Sequence, residues 1–179
     1  MRTTGRRITW AAMVVLVLVV VPTPAGAFEL SGGVSLGGIL AGTAPRLAVS
    51  PHAGIAWRID GGLLFAVQDL FSVLPPIGTA GAGVVNHTSA AIGYASKGGN
   101  FSAGPSLSFY SMPACGATLC GRVVGLSAGG HMQADVYFAE LLGVSVSADV
   151  DWIGGSSRVL PGGVAAMVVA GPVFRLASR

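Results

Sequence analysis

The sequence is poor in charged residues, in cysteine and in long apolar segments. Charged side chains make up 9% of its 179 residues, against about 25% in typical soluble domains. Hydrophobic residues make up 52%, yet no apolar run after residue 27 approaches the about 20 residues that a membrane-spanning helix needs. The low charge argues against a water-soluble domain, and the missing run argues against a helical membrane protein. A closed β-sheet remains as the structure in which so apolar a chain satisfies its backbone inside a bilayer.

The first 27 residues carry the three parts of a bacterial export signal. Three arginines lie near the start, an uninterrupted apolar run occupies 10–21, and Ala25 and Ala27 form the Ala-x-Ala arrangement that signal peptidases accept. The apolar run is too short to cross a bilayer, for which about 20 residues are needed. We therefore predict a cleaved signal peptide at 1–27 and a mature domain at 28–179.

Removal of this signal changes the charge balance of the chain. Three of its 10 basic residues leave with the signal, and those that stay equal the 7 acidic residues, all of which follow Ala27. The mature domain is therefore neutral by formal charge. Without an excess of positive charge nothing argues for nucleic acid as a partner, and we expect none.

Apolar residues alternate with small or polar residues along most of the mature domain. In 47–60, odd positions such as Leu47, Ile55 and Trp57 are mostly apolar, and even positions are mostly small or polar. A period of two is typical of β-strands, and glycine and proline separate the alternating segments. We predict eight strands, at 28–41, 47–60, 62–74, 82–96, 100–112, 123–138, 143–154 and 163–176.

The connections between these segments differ in length. Those after the second, fourth and sixth strands are short, and Gly61-Gly62 and Gly98-Gly99 suit tight hairpins. Those after the third and fifth strands, 74–81 and 111–122, are longer. Short turns on the periplasmic side and longer loops outside are the topology of outer-membrane barrels. Loops 74–81 and 111–122 are therefore the predicted contacts for a surface or envelope partner.

The composition of the polar face indicates whether the apolar face points outward into lipid or inward into the barrel. The polar face consists mainly of serine, glycine and alanine, which suits the crowded interior of a narrow eight-stranded barrel. Aromatic residues group near strand ends, with Trp57 and Phe101 at one end and Phe109 and Trp152 at the other, as in the aromatic belts of membrane interfaces. We predict that the apolar face points outward into lipid. The alternative is a soluble, lipocalin-like periplasmic carrier with its apolar face inside.

In these features the mature domain resembles the small OmpA-like and OmpX-like outer-membrane barrels. The resemblance covers 28–179 and lies in strand number, alternation and connection pattern. It implies an all-β fold, an eight-stranded antiparallel transmembrane β-barrel surrounded by the lipid of the bacterial outer membrane. We accordingly expect a structural or surface-interaction role rather than an enzymatic one, with no cofactor.

The charges of the inward face must be paired, because an unpaired buried charge is costly. Near the periplasmic end the inward face carries five charged residues: Glu29, Arg58, Asp60, Asp135 and Arg175. We predict that they form a salt-bridge layer that plugs the barrel and leaves no large pore. His131 and Asp149, on neighbouring strands, are predicted to form a hydrogen-bonded pair at mid-depth. A proton or ion relay is the alternative role for these residues.

His87 and Ser89 are the candidate catalytic residues of an alternative, enzymatic function. Lipid A deacylases of the PagL type are eight-stranded barrels with a His-x-Ser pair, in which the histidine acts as base for the serine nucleophile. The spacing places His87 and Ser89 on one face of a strand. However, the predicted strand 100–112 holds no aspartate or glutamate that would orient the histidine. We therefore prefer the non-enzymatic interpretation.

Cys115 and Cys120 are the two cysteines of the chain, and both lie in the predicted outer loop 111–122. In an oxidising compartment a disulfide between them is expected. We do not expect a metal site there, because two ligands are too few and no histidine is near.

Overall fold

The computed structural model describes residues 27–41, 44–59, 61–76, 81–115, 120–157 and 160–177. The predicted signal peptide lies outside these residues apart from Ala27, and so does Asp60. The described residues form eight strands: β1 (Ala27–Ala41), β2 (Ala44–Arg58), β3 (Leu63–Leu74), β4 (Gly83–Ala95), β5 (Gly99–Cys115), β6 (Cys120–Tyr137), β7 (Leu142–Ser157) and β8 (Leu160–Ala177). No helix in this part of the chain is long and apolar enough to span a membrane.

The strands close into a single antiparallel barrel. Each strand pairs with the next in the chain, and β8 pairs with β1. The predicted fold class is therefore confirmed, and each strand bound lies within 3 residues of the predicted one. The turns after β2, β4 and β6 lie at the same end as both termini, since Ala27 pairs with Arg58 and Glu29 pairs with Ala177. This end is periplasmic in the topology of outer-membrane barrels.

The predicted outer loop at 111–122 is wrong, because most of it is strand. β5 runs to Cys115 and β6 begins at Cys120, and Pro113 pairs with Arg122 between them. The pairing of β4 with β5 ends at Ser111, so beyond that residue this edge of β5 has no partner strand among the described residues. Proline cannot donate a ladder hydrogen bond but is tolerated at an edge. The proline that suggested a loop is thus compatible with a longer hairpin.

The apolar face of the strands points out of the barrel. Leu107 is 68% exposed, Val146 46% and Trp152 65%, whereas Ser108 and Asp149 are each 1% exposed. So large an apolar outer surface is incompatible with a water-soluble protein. The alternative of a lipocalin-like carrier, with its apolar side chains at the centre, is therefore wrong.

Aromatic side chains form two groups on this outer face. At the periplasmic end Tyr94 pairs with Phe101, and the ring of Trp57 packs edge-on against Phe28 at a centroid distance of 6.1 Å. Further out, Phe71 and Phe109 both pair with Asn86. Such rings lie where the hydrocarbon of a bilayer meets its headgroups. The other large apolar side chains that are exposed between and beyond these groups include Leu36, Leu126, Val150 and Val168.

The interior has an apolar outer half, which the sequence did not lead us to expect. Its buried side chains come from the outer parts of β1, β2, β3, β4, β5 and β8: Ile39, Ala48, Leu70, Leu74, Val85, Tyr110, Met112, Ala165, Met167 and Val169. A hydroxyl pair, Ser50 and Ser72 at 2.8 Å, adjoins this cluster, and Ser72 Oγ donates to Met167 Sδ at 3.4 Å. The cluster is flanked by polar groups, because Leu70 pairs with His87, Met167 with Asp149 and Ala165 with Asp151. The remaining charged residues of the interior, around Glu29, lie nearer the periplasmic end.

Candidate functional site in the polar interior

Glu29 is the centre of a charged layer at the periplasmic end of the interior. Its Oε2 lies 3.3 Å from Arg58 Nη2 and 3.9 Å from Arg175 Nη1. The Asn100 amide donates to Glu29 Oε1 at 3.0 Å and accepts from Arg58 Nη2 at 3.3 Å. Glu29 is 4% exposed, and these contacts supply the positive charge and hydrogen bonds that a buried carboxylate requires.

Asp135 extends this layer on β6. Gln133 Nε2 donates to Asp135 Oδ1 at 2.8 Å, and the Tyr137 hydroxyl lies 3.3 Å from Asp135 Oδ2 and 3.2 Å from Glu29 Oε1. The Arg175 guanidinium lies 3.9 Å from the centroid of the Tyr137 ring, which is a cation–π contact. Among the described residues Asp135 thus has hydrogen-bond partners but no arginine within salt-bridge distance.

His131 links three strands at mid-depth. Its Nδ1 lies 2.7 Å from Asp149 Oδ1, and its Nε2 lies 2.7 Å from Gln68 Oε1. His131 and Asp149 are neighbours in the pairing of β6 with β7, but Gln68 reaches the ring from β3, across the barrel. Both side chains of the predicted pair are buried.

His87, Ser108 and Asp151 meet on the outer side of this pair. His87 Nδ1 lies 2.6 Å from Ser108 Oγ and 3.1 Å from Asp151 Oδ2, and Ser108 Oγ donates to the same Oδ2 at 2.7 Å. In a hydrolytic triad the serine and the acid bind opposite nitrogens of the imidazole ring, so that a proton passes through the ring. Here both lie at Nδ1, and His87 Nε2 has no partner among the described residues. The arrangement therefore does not support proton transfer from serine to acid.

Ser89, the candidate nucleophile, is 4% exposed and points into the barrel. Its Oγ makes no hydrogen bond to a described residue, and hence none to His87. The acid that contacts His87, Asp151, comes from β7 rather than from the neighbouring strand β5. Ser89 and His87 thus face the interior together without forming the nucleophile and base contact that covalent catalysis needs.

The polar groups at mid-depth surround a small cavity. A cavity of about 10 Å³ lies among His52, Gln68, His87, Ser89 and His131. This is room for about one water molecule and not for an acyl chain. In the described part of the chain, no three histidine, cysteine, aspartate or glutamate side chains are grouped as metal ligands would be.

Cys115 and Cys120 are opposite each other in the pairing of β5 with β6. Their side chains lie outside the described residues, and the disulfide between them stays a prediction. The same holds for the place of Asp60 in the charged layer.

Sequence reasoning missed several members of the interior network. Asn100 and Tyr137 contact Glu29, and Ser106 and Ser108 donate to Asp151. The alternation in the sequence carried a signal for them, since each shares its parity with the inward residues of its own strand. Their partners, however, lie on strands that are not neighbours in the sheet, and strand alternation says nothing about such contacts.

No family model and no curated protein matches the sequence, but solved structures share its fold. Neisserial surface protein A has a TM-score of 0.56 at 15% identity, over 84% of this chain and 98% of that chain. Ail, the attachment invasion locus protein of Yersinia pestis, was solved with the heparin analogue sucrose octasulfate. It has a TM-score of 0.56 at 6% identity, over 84% of this chain and 99% of that one. The N-terminal β-barrel domain of Pseudomonas aeruginosa OprF has a TM-score of 0.51 at 14% identity, over 84% and 99%.

The chain thus has the fold of the small outer-membrane β-barrels. Its antiparallel sheet is closed, and its outer face is apolar in the way that hydrocarbon requires. The resemblance to small outer-membrane barrels that the sequence indicates is confirmed at the level of the fold. With identities of 15% or less, the structural likeness shows the fold and assigns no function.

Proposed function

We propose that this protein is a non-enzymatic barrel that stabilises the outer membrane and presents its outer hairpins to a partner, with an interior that is plugged against ions and solutes. One observation supports the proposal that the interior is plugged. The charged layer around Glu29 lies at the periplasmic end, the apolar cluster around Met167 lies at the outer end, and a cavity of only about 10 Å³ lies between them. An apolar constriction also resists wetting, which opposes ion flow.

Electrical recording in planar bilayers tests the plug. The refolded barrel is expected to give no stable conductance steps, because neither end offers a continuous path for water. A double variant, Met112→Gly with Met167→Gly, removes two large side chains of the outer cluster and is expected to give small, brief openings. Steady ion-selective conductance of the unaltered protein would contradict the proposal.

The charge of the outer end favours a partner of negative charge. The outer connections and the residues beside them carry Arg46, Arg122 and Arg158 but no aspartate or glutamate, over 42–46, 75–82, 116–122 and 158–163. A concentration of one sign of charge attracts the opposite sign over about 8 Å at physiological ionic strength. Ail, a barrel of the same fold, was solved with a sulfated heparin analogue. We therefore propose a sulfated or phosphorylated polysaccharide as the partner class.

Binding to immobilised heparin at increasing salt concentration tests this partner class. The protein in detergent is expected to bind and to elute as salt is raised, and Arg158→Ser is expected to lower the eluting concentration. Lys97→Ser is the matched control, because Lys97 lies in the turn between β4 and β5 at the opposite end of the barrel. Elution of all three proteins at the same salt concentration would reject the outer hairpins as the binding surface.

Comparison of lipid A from cells that express the protein or Ser89→Ala tests the enzymatic alternative. Because Ser89 faces the interior and has no contact with His87, we expect the two lipid A mass spectra to be the same. A loss of acyl chains that depends on Ser89 would establish a hydrolase instead.

A further inference from the structure

Three polar side-chain atoms on the walls of the small interior cavity make no hydrogen bond to another described residue. They are His52 Nε2, His87 Nε2 and Ser89 Oγ, and all three atoms are buried. His87 is 3% exposed and Ser89 4%. A buried polar atom without a hydrogen bond is costly and is rare in folded proteins. Three such atoms around one cavity therefore indicate a ligand that can form hydrogen bonds.

The pairing of β2, β3 and β4 brings these three residues to the same cavity. Leu70 of β3 pairs with His52 on one side and with His87 on the other. The two imidazoles therefore belong to one row of paired residues across three strands. Ser89 follows His87 by two residues, so it shares the inward face of β4. The site is thus built from β2 and β4, which are not neighbours in the sheet.

The Nδ1 atoms of the two rings already have partners. Ser108 Oγ donates to Asp151 Oδ2 at 2.7 Å, so it accepts from His87 Nδ1 at 2.6 Å. His87 Nδ1 therefore carries the hydrogen, and Nε2 of the neutral ring is an acceptor. His52 Nδ1 lies 3.4 Å from Ser35 Oγ. In both rings Nε2 is the atom that is left for a ligand.

The size and the charge of the site favour water as the ligand. The cavity of about 10 Å³ has room for about one water molecule. Water donates two hydrogen bonds and accepts two, which suits the acceptor of His87, the hydroxyl of Ser89 and either tautomer of His52. A buried cation would need an acid beside it, but Asp151 contacts the opposite, Nδ1 side of the His87 ring.

We propose that one water molecule is bound in this cavity as a fixed part of the fold, with hydrogen bonds to His52 Nε2, His87 Nε2 and Ser89 Oγ. The water joins β2 to β4 and connects His52 to the network of His87 and Asp151. The pair of His87 and Ser89, whose spacing suggests a hydrolase, binds this water through both of its members. The site is independent of the proposed function, since it involves neither the outer hairpins nor their partner.

A crystal structure at a resolution that shows ordered water tests the site on the unaltered protein. One solvent peak is expected in the cavity, about 2.7–3.2 Å from each of the three atoms. Data collected at the zinc and copper absorption edges are expected to show no anomalous signal at this peak. An empty cavity, a peak that does not contact all three atoms, or an anomalous signal from a metal ion would overturn the proposal.

Oxygen-17 relaxation dispersion of water tests the role of Ser89 in solution, because it counts buried water molecules and does not detect protein hydroxyls. Ser89→Val replaces the hydroxyl by methyl groups that fill part of the cavity. The dispersion amplitude of the barrel in detergent is therefore expected to fall by the contribution of about one water molecule. An unchanged amplitude in Ser89→Val would overturn the proposal.

Ser102→Val is the matched control for this measurement. Ser102 is also buried on the inward face, on β5, but it is not among the residues that line the cavity. Its substitution is expected to leave the dispersion amplitude unchanged, and heat-modifiability on a gel verifies that both variants are folded. An equal fall in both variants would overturn the proposal, because the lost water would then not be the one at Ser89.

Discussion

Glu29 illustrates how single side chains stabilise the interior of this barrel. It is nearly fully buried, and it contacts Arg58, Arg175 and Asn100 from three other strands. Removal of one partner from a buried ion pair lowers the free energy of unfolding by more than the intact pair contributes to it. The reason is that the remaining charge stays out of water but has lost its partner. The two arginines are the groups that would be left without their acid.

Glu29→Ala is therefore expected to lower the free energy of unfolding by about 3 kcal/mol. Urea titration of the barrel in lipid vesicles measures this change. Glu29→Gln keeps the shape and the hydrogen bonds with Asn100 and Tyr137, so it is expected to cost less than Glu29→Ala. Equal stability of Glu29→Ala and the unaltered protein would show that the charged layer does not stabilise the fold.

Gly129 is required by the close approach of β7 rather than by its backbone angles. A Cβ atom there would collide with the carbonyl oxygen of Val150 and with the Asp151 carboxylate. Gly130, the next residue, faces outward, and its Cβ would meet nothing nearer than 4.0 Å. The two neighbouring glycines are therefore a matched pair.

Gly129→Ala is expected to destabilise the barrel by about 1–3 kcal/mol, as overpacking does, because Asp151 must leave Ser106 and Ser108. Gly130→Ala is expected to be neutral or slightly stabilising. Urea unfolding of both variants in vesicles makes the comparison. Equal effects of the two substitutions would mean that the Asp151 contacts are unimportant.

At the residue scale the sequence predicts which face of the sheet a side chain lies on, but not which residues the side chain contacts. Alternation places His131, Asp149 and His87 on the inward face, where the structure has them. The contacts of His131 with Gln68 and of His87 with Asp151 cross the barrel between strands that are not neighbours. Such contacts depend on strand tilt and stagger, which the pattern of a single strand does not specify.

At the element scale, two arginines tie the connection between β3 and β4 to the barrel. Arg46 Nη2 donates to the carbonyl oxygens of Pro75 and Gly81 at 2.8 and 3.0 Å. From the other side, Arg122 donates to Ala82 O at 2.8 Å and to Ser111 Oγ at 2.7 Å. The ends of this connection are thus bound to β2 and β6, which are not its neighbours in the chain.

Arg122→Ala is expected to increase hydrogen exchange in 81–84 several-fold, because local opening then breaks fewer hydrogen bonds. Exchange in the turn between β4 and β5 is expected to stay the same, since it lies at the far end. Mass spectrometry of peptides from both regions measures the difference. An unchanged exchange rate at 81–84 would mean that Arg122 does not hold this connection.

Strand bounds at the outer end were harder to predict from sequence than those at the periplasmic end. Gly61-Gly62 marks its turn clearly, and both glycines have a φ of 87°, a conformation that other residues seldom adopt. Pro113 favoured the wrong prediction of a loop at 111–122, because proline inside a strand is expected only where the neighbouring strand edge is free. That edge is free because β4 is shorter than β5.

At the scale of the whole molecule, low charge, alternation and the lack of a spanning helix were enough to predict a closed membrane barrel. The apolar cluster in the outer half of the interior could not be predicted in the same way. Residues such as Met167 and Val169 belong to a strand with apolar residues on both faces. A segment of this kind gives no alternation from which to tell the inward face from the outward one.

In this structure the apolar face of the strands contacts hydrocarbon. Fluorescence of the mature barrel in vesicles that contain brominated lipids tests this contact directly, because bromine quenches tryptophan only at short range and Trp57 and Trp152 both lie on the outer face. We expect brominated lipids to quench both tryptophans strongly. A tryptophan introduced by Leu107→Trp should also be quenched strongly, by bromine placed midway along the acyl chains. Fluorescence that brominated lipid leaves unchanged would show that these rings lie inside the protein or in water and that the apolar face does not contact hydrocarbon.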